Sequence, residues 1–156
     1  MLAAGSRFPD RALHDPQGAS QRLAQGWARG KALVVVGHAG CGTTRLALPF
    51  VDRLHARRGP GSAVLAVLQE DAAGARALVA SLGLSLPIGL DEDPYPLSSE
   101  LGMEIVPALF LVGADGRLLR ATEGFSRDDL EAFADELGVA GPLFGPDEQT
   151  PRFRPG

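Results

Sequence analysis

The fold is indicated most directly by residues 34–45, which read VVVGHAGCGTTR. A β-branched run ends at Val36, a short glycine-rich loop follows, and Cys41 stands where apolar spacing predicts the start of a helix. The first turn of a helix carries unpaired backbone N–H groups and a positive partial charge, and both favour a thiolate over a thiol. The stretch therefore predicts a buried strand, a loop and a helix whose first turn lies beside a reactive cysteine.

Cys41 is the only cysteine of the chain. The residue three positions later is Thr44, so the thiol has no partner for a disulfide within its own chain. A single cysteine excludes a disulfide framework and a cysteine-based zinc site. The histidines at 14, 38 and 55 lie far apart without metal-ligand spacing. We therefore predict neither a metal site nor a bound cofactor.

Length and composition are those of one globular domain. The chain has 156 residues, 45% of them hydrophobic and 22% charged, which is enough for a sizeable core. A net charge of −4 argues against nucleic acid, because phosphate contacts need clustered Lys and Arg. No apolar run approaches the roughly 20 residues of a membrane span, and no signal peptide is recognisable. We predict a cytoplasmic protein with no membrane partner; a removed leader or anchor stays an open alternative.

Hydrophobic periodicity predicts alternating strands and helices. The predicted strands span residues 32–36, 63–68, 87–90, 108–112 and 118–122. The predicted helices span residues 43–57, 71–82 and 97–101, and a last helix begins at Ser126. Pro49 falls inside the first helix and should bend it. This order predicts an α/β fold with a central mixed β-sheet and helices on both faces.

The ends of the chain are predicted to differ from this core. Residues 1–31 read as a lead-in with a short hairpin, and residues 32–137 as the core of the same domain. Residues 138–156 form a Gly- and Pro-rich tail that we expect to be irregular or disordered. The acidic run Asp91-Glu92-Asp93 is read as a solvated loop.

Four landmarks resemble a known superfamily. The lead-in GSRFPD (5–10) is followed by the turn DPQG (15–18). CGTTR (41–45) occupies the place of a Cys-Gly-Pro-Cys-Arg motif, and Pro49 matches the proline that kinks the helix after it. VPALFLV (106–112) resembles the Val-Pro-Thr-x-Phe segment that closes that site. Over roughly residues 5–137 the chain resembles the thioredoxin-like superfamily, closest to TlpA-type thiol–disulfide oxidoreductases and the peroxiredoxins.

The resemblance implies a thioredoxin-like fold and a cis peptide bond before Pro107. In the family this bond lies beside the active-site cysteine and presents backbone groups to a bound peptide or mixed disulfide. Val106 and Pro107 are therefore candidate substrate contacts. The alternative is an ordinary proline at the first position of a strand.

The departures from the family pattern concern the chemistry of the site. Thr44 replaces the second, resolving cysteine, and Gly40 replaces the tryptophan that precedes the first. The buried acid of many thioredoxins is replaced within the run Val34–Val36. These changes argue against an ordinary dithiol reductase or oxidase.

Several residue roles follow if the site is active. Cys41 is the nucleophile that attacks a disulfide, a sulfenic acid or a peroxide. The amides of Gly42, Thr43 and Thr44 stabilise its thiolate, and Thr44 donates its hydroxyl, with Thr43 as the less direct alternative. His38 either tunes the thiol or is an exposed loop histidine that never faces the sulfur.

Three functions are left open by the sequence. The leading one is a monothiol thiol–disulfide oxidoreductase, released from its mixed disulfide by glutathione or a partner protein. The second is a redox-inactive thioredoxin-fold module that binds a partner peptide around Cys41 and Val106-Pro107. The third is a one-cysteine peroxidase, in which His38 and Val34 stand where peroxiredoxins have threonine and proline. An exposed Cys41 would also permit an intermolecular disulfide.

Overall fold

A five-stranded mixed sheet forms the centre of the computed structural model, which describes all 156 residues. The strands are β1 (Ala12–His14), β2 (Ser20–Arg22), β3 (Ala32–Gly37), β4 (Ala63–Leu68), β5 (Ile88–Leu90), β6 (Ala108–Val112), β7 (Leu118–Glu123), β8 (Phe125–Ser126) and β9 (Phe153–Arg154). The helices are α1 (Gly42–Arg57), α2 (Ala72–Leu82), α3 (Pro96–Glu100) and α4 (Arg127–Glu136). A short 3-10 helix spans Leu23–Gly26. The predicted strands and helices are all present, with ends within about two residues of those expected.

The central sheet has the strand order β5-β4-β3-β6-β7. β3 runs parallel to β4 and antiparallel to β6, and β6 pairs antiparallel with β7. Every residue of β3 and β6 is buried, because layers cover both faces of the sheet there. The predicted mixed sheet is therefore confirmed.

Two hydrophobic cores lie on opposite faces of this sheet. The larger contains 25 buried residues and joins the sheet to α1, α2 and α4. The smaller contains 13 and is covered by α3 and by Phe8, Leu23 and Trp27 of the lead-in. Helices thus lie on both faces, as predicted. None of the helices is both long enough and apolar enough to cross a bilayer.

Local signals in the sequence explain where the helices start and stop. Asp71 accepts a hydrogen bond from the Gly74 amide at 2.8 Å and caps α2. Gly83 closes α2 in the left-handed region, with φ of 64°. Ser126 accepts from the Asp129 amide and caps α4. Pro49 lies inside α1, as predicted.

The C-terminal segment is largely irregular, as predicted, and it is packed against the rest of the chain rather than disordered. Phe144 is only 5% exposed and its ring centroid lies 4.7 Å from that of Phe50. Arg53 donates to both carboxylate oxygens of Glu148, at 2.6 and 3.0 Å. Further on, β9 pairs antiparallel with β8. The segment lacks periodicity, but aromatic burial and an ion pair hold it to α1.

Asp91 also departs from its predicted place in a solvated loop. It is 1% exposed and accepts hydrogen bonds from the amides of Leu97 and Ser98, both at 2.9 Å. The Ser98 hydroxyl donates to the same carboxylate at 2.7 Å. Burial is tolerated because the first amides of α3 satisfy the charge. Only Glu92 and Asp93 of the acidic run are exposed.

Candidate functional site

Cys41 is the N-cap residue of α1, at the end of the loop that follows β3. Its backbone is extended, with φ of −94° and ψ of 118°. Its amide donates to the His38 carbonyl at 3.0 Å, and its carbonyl accepts from the Arg45 amide at 3.1 Å. These bonds fix the loop and hold a partly buried sulfur beside the first turn of the helix.

The turn before β6 lies opposite the cysteine. The Val106–Pro107 peptide bond is cis, as predicted. The Cys41 sulfur lies 3.5 Å from the Val106 carbonyl oxygen and donates to it as a thiol. The two loops meet because β3 and β6 are antiparallel neighbours. The C-terminal end of β3 and the N-terminal end of β6 therefore lie at the same end of the sheet.

The site favours the thiolate form of Cys41. Burial on its own raises the pKa of the thiol, since charge is poorly solvated there. Hydrogen bonds from the Thr44 amide and hydroxyl and from the Thr43 amide act the other way, as does the positive charge of Arg154. Together they bring the pKa of Cys41 below its ordinary value. A lowered thiol pKa at a helix start is typical of reactive cysteines.

The two threonines of the first turn face different partners. Thr44 is fully buried and its hydroxyl oxygen accepts from the His38 amide at 3.4 Å, which leaves its proton for the cysteine sulfur. The Thr43 hydroxyl donates to the Pro155 carbonyl at 2.7 Å. Thr44 therefore interacts with the sulfur through both its hydroxyl and its amide, whereas Thr43 does so through its amide alone.

His38 lies in the cysteine loop, and both of its ring nitrogens contact groups other than the sulfur. Nδ1 accepts from the Gly40 amide at 3.0 Å. Nε2 lies 3.7 Å from a Glu70 carboxylate oxygen, which also accepts from the Ala39 amide. These contacts make His38 a loop-ordering residue and give it no hydrogen bond to Cys41.

C-terminal residues that no sequence pattern indicates complete the site. The Arg154 guanidinium lies so close to Gly42 that a Cβ there would come within 2.9 Å of Nη2. Gly156 lies against Val106, where a Cβ would overlap the carbonyl oxygen. Residues 152–156 carry no periodicity or motif, so no local signal indicated that they reach a cysteine more than 110 positions away.

Cys41 is not part of a cluster of side chains that could bind a metal ion. No three His, Cys, Asp or Glu side chains come together in a way that could hold a metal ion. A cavity of about 530 Å³ lies elsewhere, between the β1–β2 hairpin, α2 and β5. No residue of the cysteine site lines it. The groups observed around the sulfur are the first turn of α1, the Val106 carbonyl and the charge of Arg154.

A thiol at the start of the helix after a central strand, facing a cis-proline turn, defines a thioredoxin-like protein. The family described as Redoxin matches residues 3–137. The chain belongs to this family. No curated protein matches the sequence closely enough to count as a relative.

Solved structures share this architecture at low identity. A proposed thiol:disulfide interchange protein DsbE from Chlorobium tepidum superposes with a TM-score of 0.78 at 22% identity, over 87% of this chain and 96% of that one. The thioredoxin domain of a thiol-disulfide oxidoreductase from Bacteroides vulgatus gives 0.76 at 20%, over 86% and 97%. A secreted disulfide oxidoreductase from Mycobacterium tuberculosis gives 0.68 at 17%, over 81% and 95%. At these identities the likeness establishes the thioredoxin-like fold.

Proposed function

We propose that this protein is a monothiol member of the thiol–disulfide oxidoreductase group, with Cys41 as its nucleophile. The observation that carries the proposal is the setting of the sulfur at the N-cap of α1. There the amides of Thr43 and Thr44 and the Thr44 hydroxyl stabilise a thiolate. The family and the fold support the same class of reaction.

The proposed reaction is a pair of thiol–disulfide exchanges. The Cys41 thiolate attacks one sulfur of a substrate disulfide, forms a mixed disulfide and releases the other sulfur as a thiolate. An external thiolate then attacks the mixed disulfide and restores the Cys41 thiolate, leaving a new disulfide on the departing pair. Because Thr44 stands where a second cysteine would close an internal disulfide, each cycle needs that external thiol.

We propose that protein and low-molecular-weight disulfides are the substrates and that glutathione is one such external thiol. The Val106–Pro107 turn is the proposed wall against which the substrate's sulfur-bearing segment lies. The cytoplasmic location stays a prediction from the sequence. Glutathione is the abundant thiol of that compartment.

The test begins with formation of the mixed disulfide. Reduced protein is mixed with oxidised glutathione, and intact mass counts the glutathione bound per chain, with Cys41→Ser as the control. Turnover is then followed as reduction of bis(2-hydroxyethyl) disulfide by excess glutathione with catalytic amounts of protein. One glutathione per chain and a turnover that disappears in Cys41→Ser are expected. Turnover equal to that of Cys41→Ser overturns the proposal.

A redox-inactive binding module is the second candidate, and one observation favours it. The groove beside Cys41 holds a peptide segment without a covalent bond, since Thr43 donates to the Pro155 carbonyl. A binding module would bind a cysteine-free peptide equally well in wild type and in Cys41→Ser, and would show no turnover in either.

The one-cysteine peroxidase lacks such support. Val34 is buried in the sheet, and the His38 ring faces Gly40 and Glu70. No hydrogen bond joins either side chain to Cys41, so neither supports a peroxide site at the sulfur. Consumption of hydrogen peroxide that disappears in Cys41→Ser would nevertheless restore this alternative.

A further inference from the structure

Residues 152–156, here called the tail strand, cross the proposed catalytic groove. Within them, β9 pairs antiparallel with β8, with Arg154 opposite Phe125 and Phe153 opposite Ser126. The Arg127 amide extends the pairing by donating to the Arg152 carbonyl at 3.0 Å. The tail strand therefore binds by strand addition to a two-residue segment that has no other strand partner.

The tail strand contacts each wall of the groove. On the helix side, Thr43 donates to the Pro155 carbonyl and Gly42 faces the Arg154 guanidinium. On the opposite side, Gly156 lies against the Val106 carbonyl. Gly124, which precedes β8, donates its amide to the Pro107 carbonyl at 2.8 Å. A Cβ at Gly124 would lie 2.6 Å from the Arg154 carbonyl oxygen, so a side chain there would exclude the tail strand.

The tail strand is held weakly, whereas the segment before it is anchored. Phe153 is 59% exposed, and the Arg152–Asp128 ion pair is exposed on both sides. A two-residue strand with exposed side chains contributes little beyond a few backbone hydrogen bonds. By contrast, Phe144 is buried and Glu148 is bound by Arg53. Because the segment that contains Phe144 and Glu148 is anchored, the tail strand stays at a high effective concentration near the groove even when it dissociates from β8.

We propose that the tail strand is a tethered occupant of the catalytic groove, which an extended partner peptide must displace to reach Cys41. The inference rests on the proposed function, because the walls that the tail strand covers are those assigned above to the substrate. The incoming peptide would take over its pairing with β8. Small thiol reagents would reach the sulfur with the tail strand in place, and bulky ones would need it to open.

The test compares two maleimides that react by the same chemistry. The rate constants of Cys41 with N-ethylmaleimide and with pyrene maleimide are measured at one pH, and their ratio is taken. Because the thiolate attacks the double bond of both maleimides in the same way, a change in thiol pKa cancels from the ratio. The opened variant keeps full length and carries Arg152→Gly, Phe153→Gly, Arg154→Gly and Pro155→Gly. Phe153→Ala is the matched control, since it removes only an exposed ring.

The ratio of pyrene maleimide to N-ethylmaleimide rate is expected to rise roughly fivefold or more in the opened variant, because a few exposed hydrogen bonds hold the tail strand closed. It should stay at the wild-type value in Phe153→Ala. An unchanged ratio in a folded opened variant overturns the inference. Hydrogen exchange on wild type gives a second test: the amides of β9 should exchange far faster than those of β3, and equal protection overturns the inference.

These outcomes are separate from those of the proposed function. Alkylation reports access to the sulfur and does not need disulfide turnover. An opened groove without turnover in any variant removes the oxidoreductase proposal and leaves the occluding tail strand. Turnover with an unchanged alkylation ratio keeps the oxidoreductase proposal and removes the inference that the tail strand occludes the groove. A synthetic peptide with the sequence of residues 152–156 should return the opened variant toward the wild-type ratio, and no effect at millimolar peptide counts against strand replacement.

Discussion

The sulfur of Cys41 lies 3.5 Å from the carbonyl oxygen of Val106, although 65 residues separate the two in sequence. A thiol can donate to this carbonyl, but a thiolate has no proton to donate and accepts from the first turn of α1 instead. The two protonation states therefore favour opposite walls of the groove. Substitutions that alter one wall should shift the balance between them.

Thr44→Val should raise the pKa of Cys41, because it removes the hydroxyl that donates to the thiolate and keeps the backbone amide. The pKa is measured as the midpoint of the pH dependence of iodoacetamide alkylation. In wild type this midpoint should lie below that of the same chain unfolded in urea. Thr44→Ser keeps a hydroxyl and should stay close to wild type. Equal midpoints for Thr44→Val and wild type would show that the hydroxyl does not act on the sulfur.

Arg154→Gln should also raise the pKa of Cys41, since it removes a positive charge that favours the thiolate. Arg152→Gln is the matched control, because Arg152 is paired with Asp128 and is not among the groups that act on the thiol. The difference between wild type and Arg154→Gln should shrink in high salt, which screens exposed charges. A similar rise in the Cys41 pKa from both substitutions would mean that the effect comes from the total charge of the C-terminal segment and does not depend on the position of Arg154.

Glu148→Gln should destabilise the protein in a pH-dependent way. Hydrogen bonds from Arg53 and from the Gly145 amide lower the pKa of Glu148 from 4.5 to about 2. A carboxylate whose pKa is lowered by folding stabilises fully above its unfolded pKa, and this contribution is lost as the pH falls through the folded one. The Tm of the variant should thus be below wild type near pH 6, and the gap should close as the pH falls from 4.5 toward 2.

Glu131→Gln is the control for that experiment, because Glu131 is exposed and forms no ion pair. Its Tm should follow that of wild type within a small, constant offset. A gap for Glu148→Gln that persists unchanged to acidic pH would show that Arg53 does not stabilise the charged form.

Asp91→Ala should cost about 2 to 3 kcal/mol in the free energy of unfolding, because it leaves the buried amides of Leu97 and Ser98 without acceptors. Urea denaturation measures the loss. Glu92→Ala, one position further along the exposed side of the turn, should change stability by no more than about 0.5 kcal/mol. Small and equal effects of both substitutions would mean that the hydrogen bonds from the Leu97 and Ser98 amides to Asp91 do not stabilise the protein.

The core of the fold was predictable from the sequence because its signals are local. The run Ala32–Val36 is continuous and β-branched, so it indicates a strand buried on both faces, and Ser126 and Gly83 mark helix ends by their own backbone chemistry. The position of Cys41 before a periodic helix likewise indicated where the site would form. Each of these signals lies within a few residues of the feature that it predicts.

The features that the sequence did not indicate depend on how loops and segments pack in three dimensions. Asp91 is buried against α3, which begins five residues later and whose Leu97 and Ser98 amides donate to the carboxylate. Phe144 packs against Phe50 of α1 and Phe125 of β8, and Arg154 lies beside the start of α1 because β9 pairs with β8. No sequence pattern within a Gly- and Pro-rich stretch predicts contacts with residues so far away in the chain. The composition of the C-terminal segment predicts a lack of regular structure and says little about long-range packing.

The antiparallel pairing of β3 with β6 ends at the pair Val36 and Ala108, immediately before the loops that carry Cys41 and Val106. A slip of this pairing by one residue would move one loop past the other by roughly 3.3 Å and turn each side chain of the slipped strand to the opposite face. Sulfur and carbonyl would then separate even though no residue had changed. The contact between sulfur and carbonyl therefore depends on the register of β3 against β6. A change in that register would be measurable as a change in the reactivity of the Cys41 thiol.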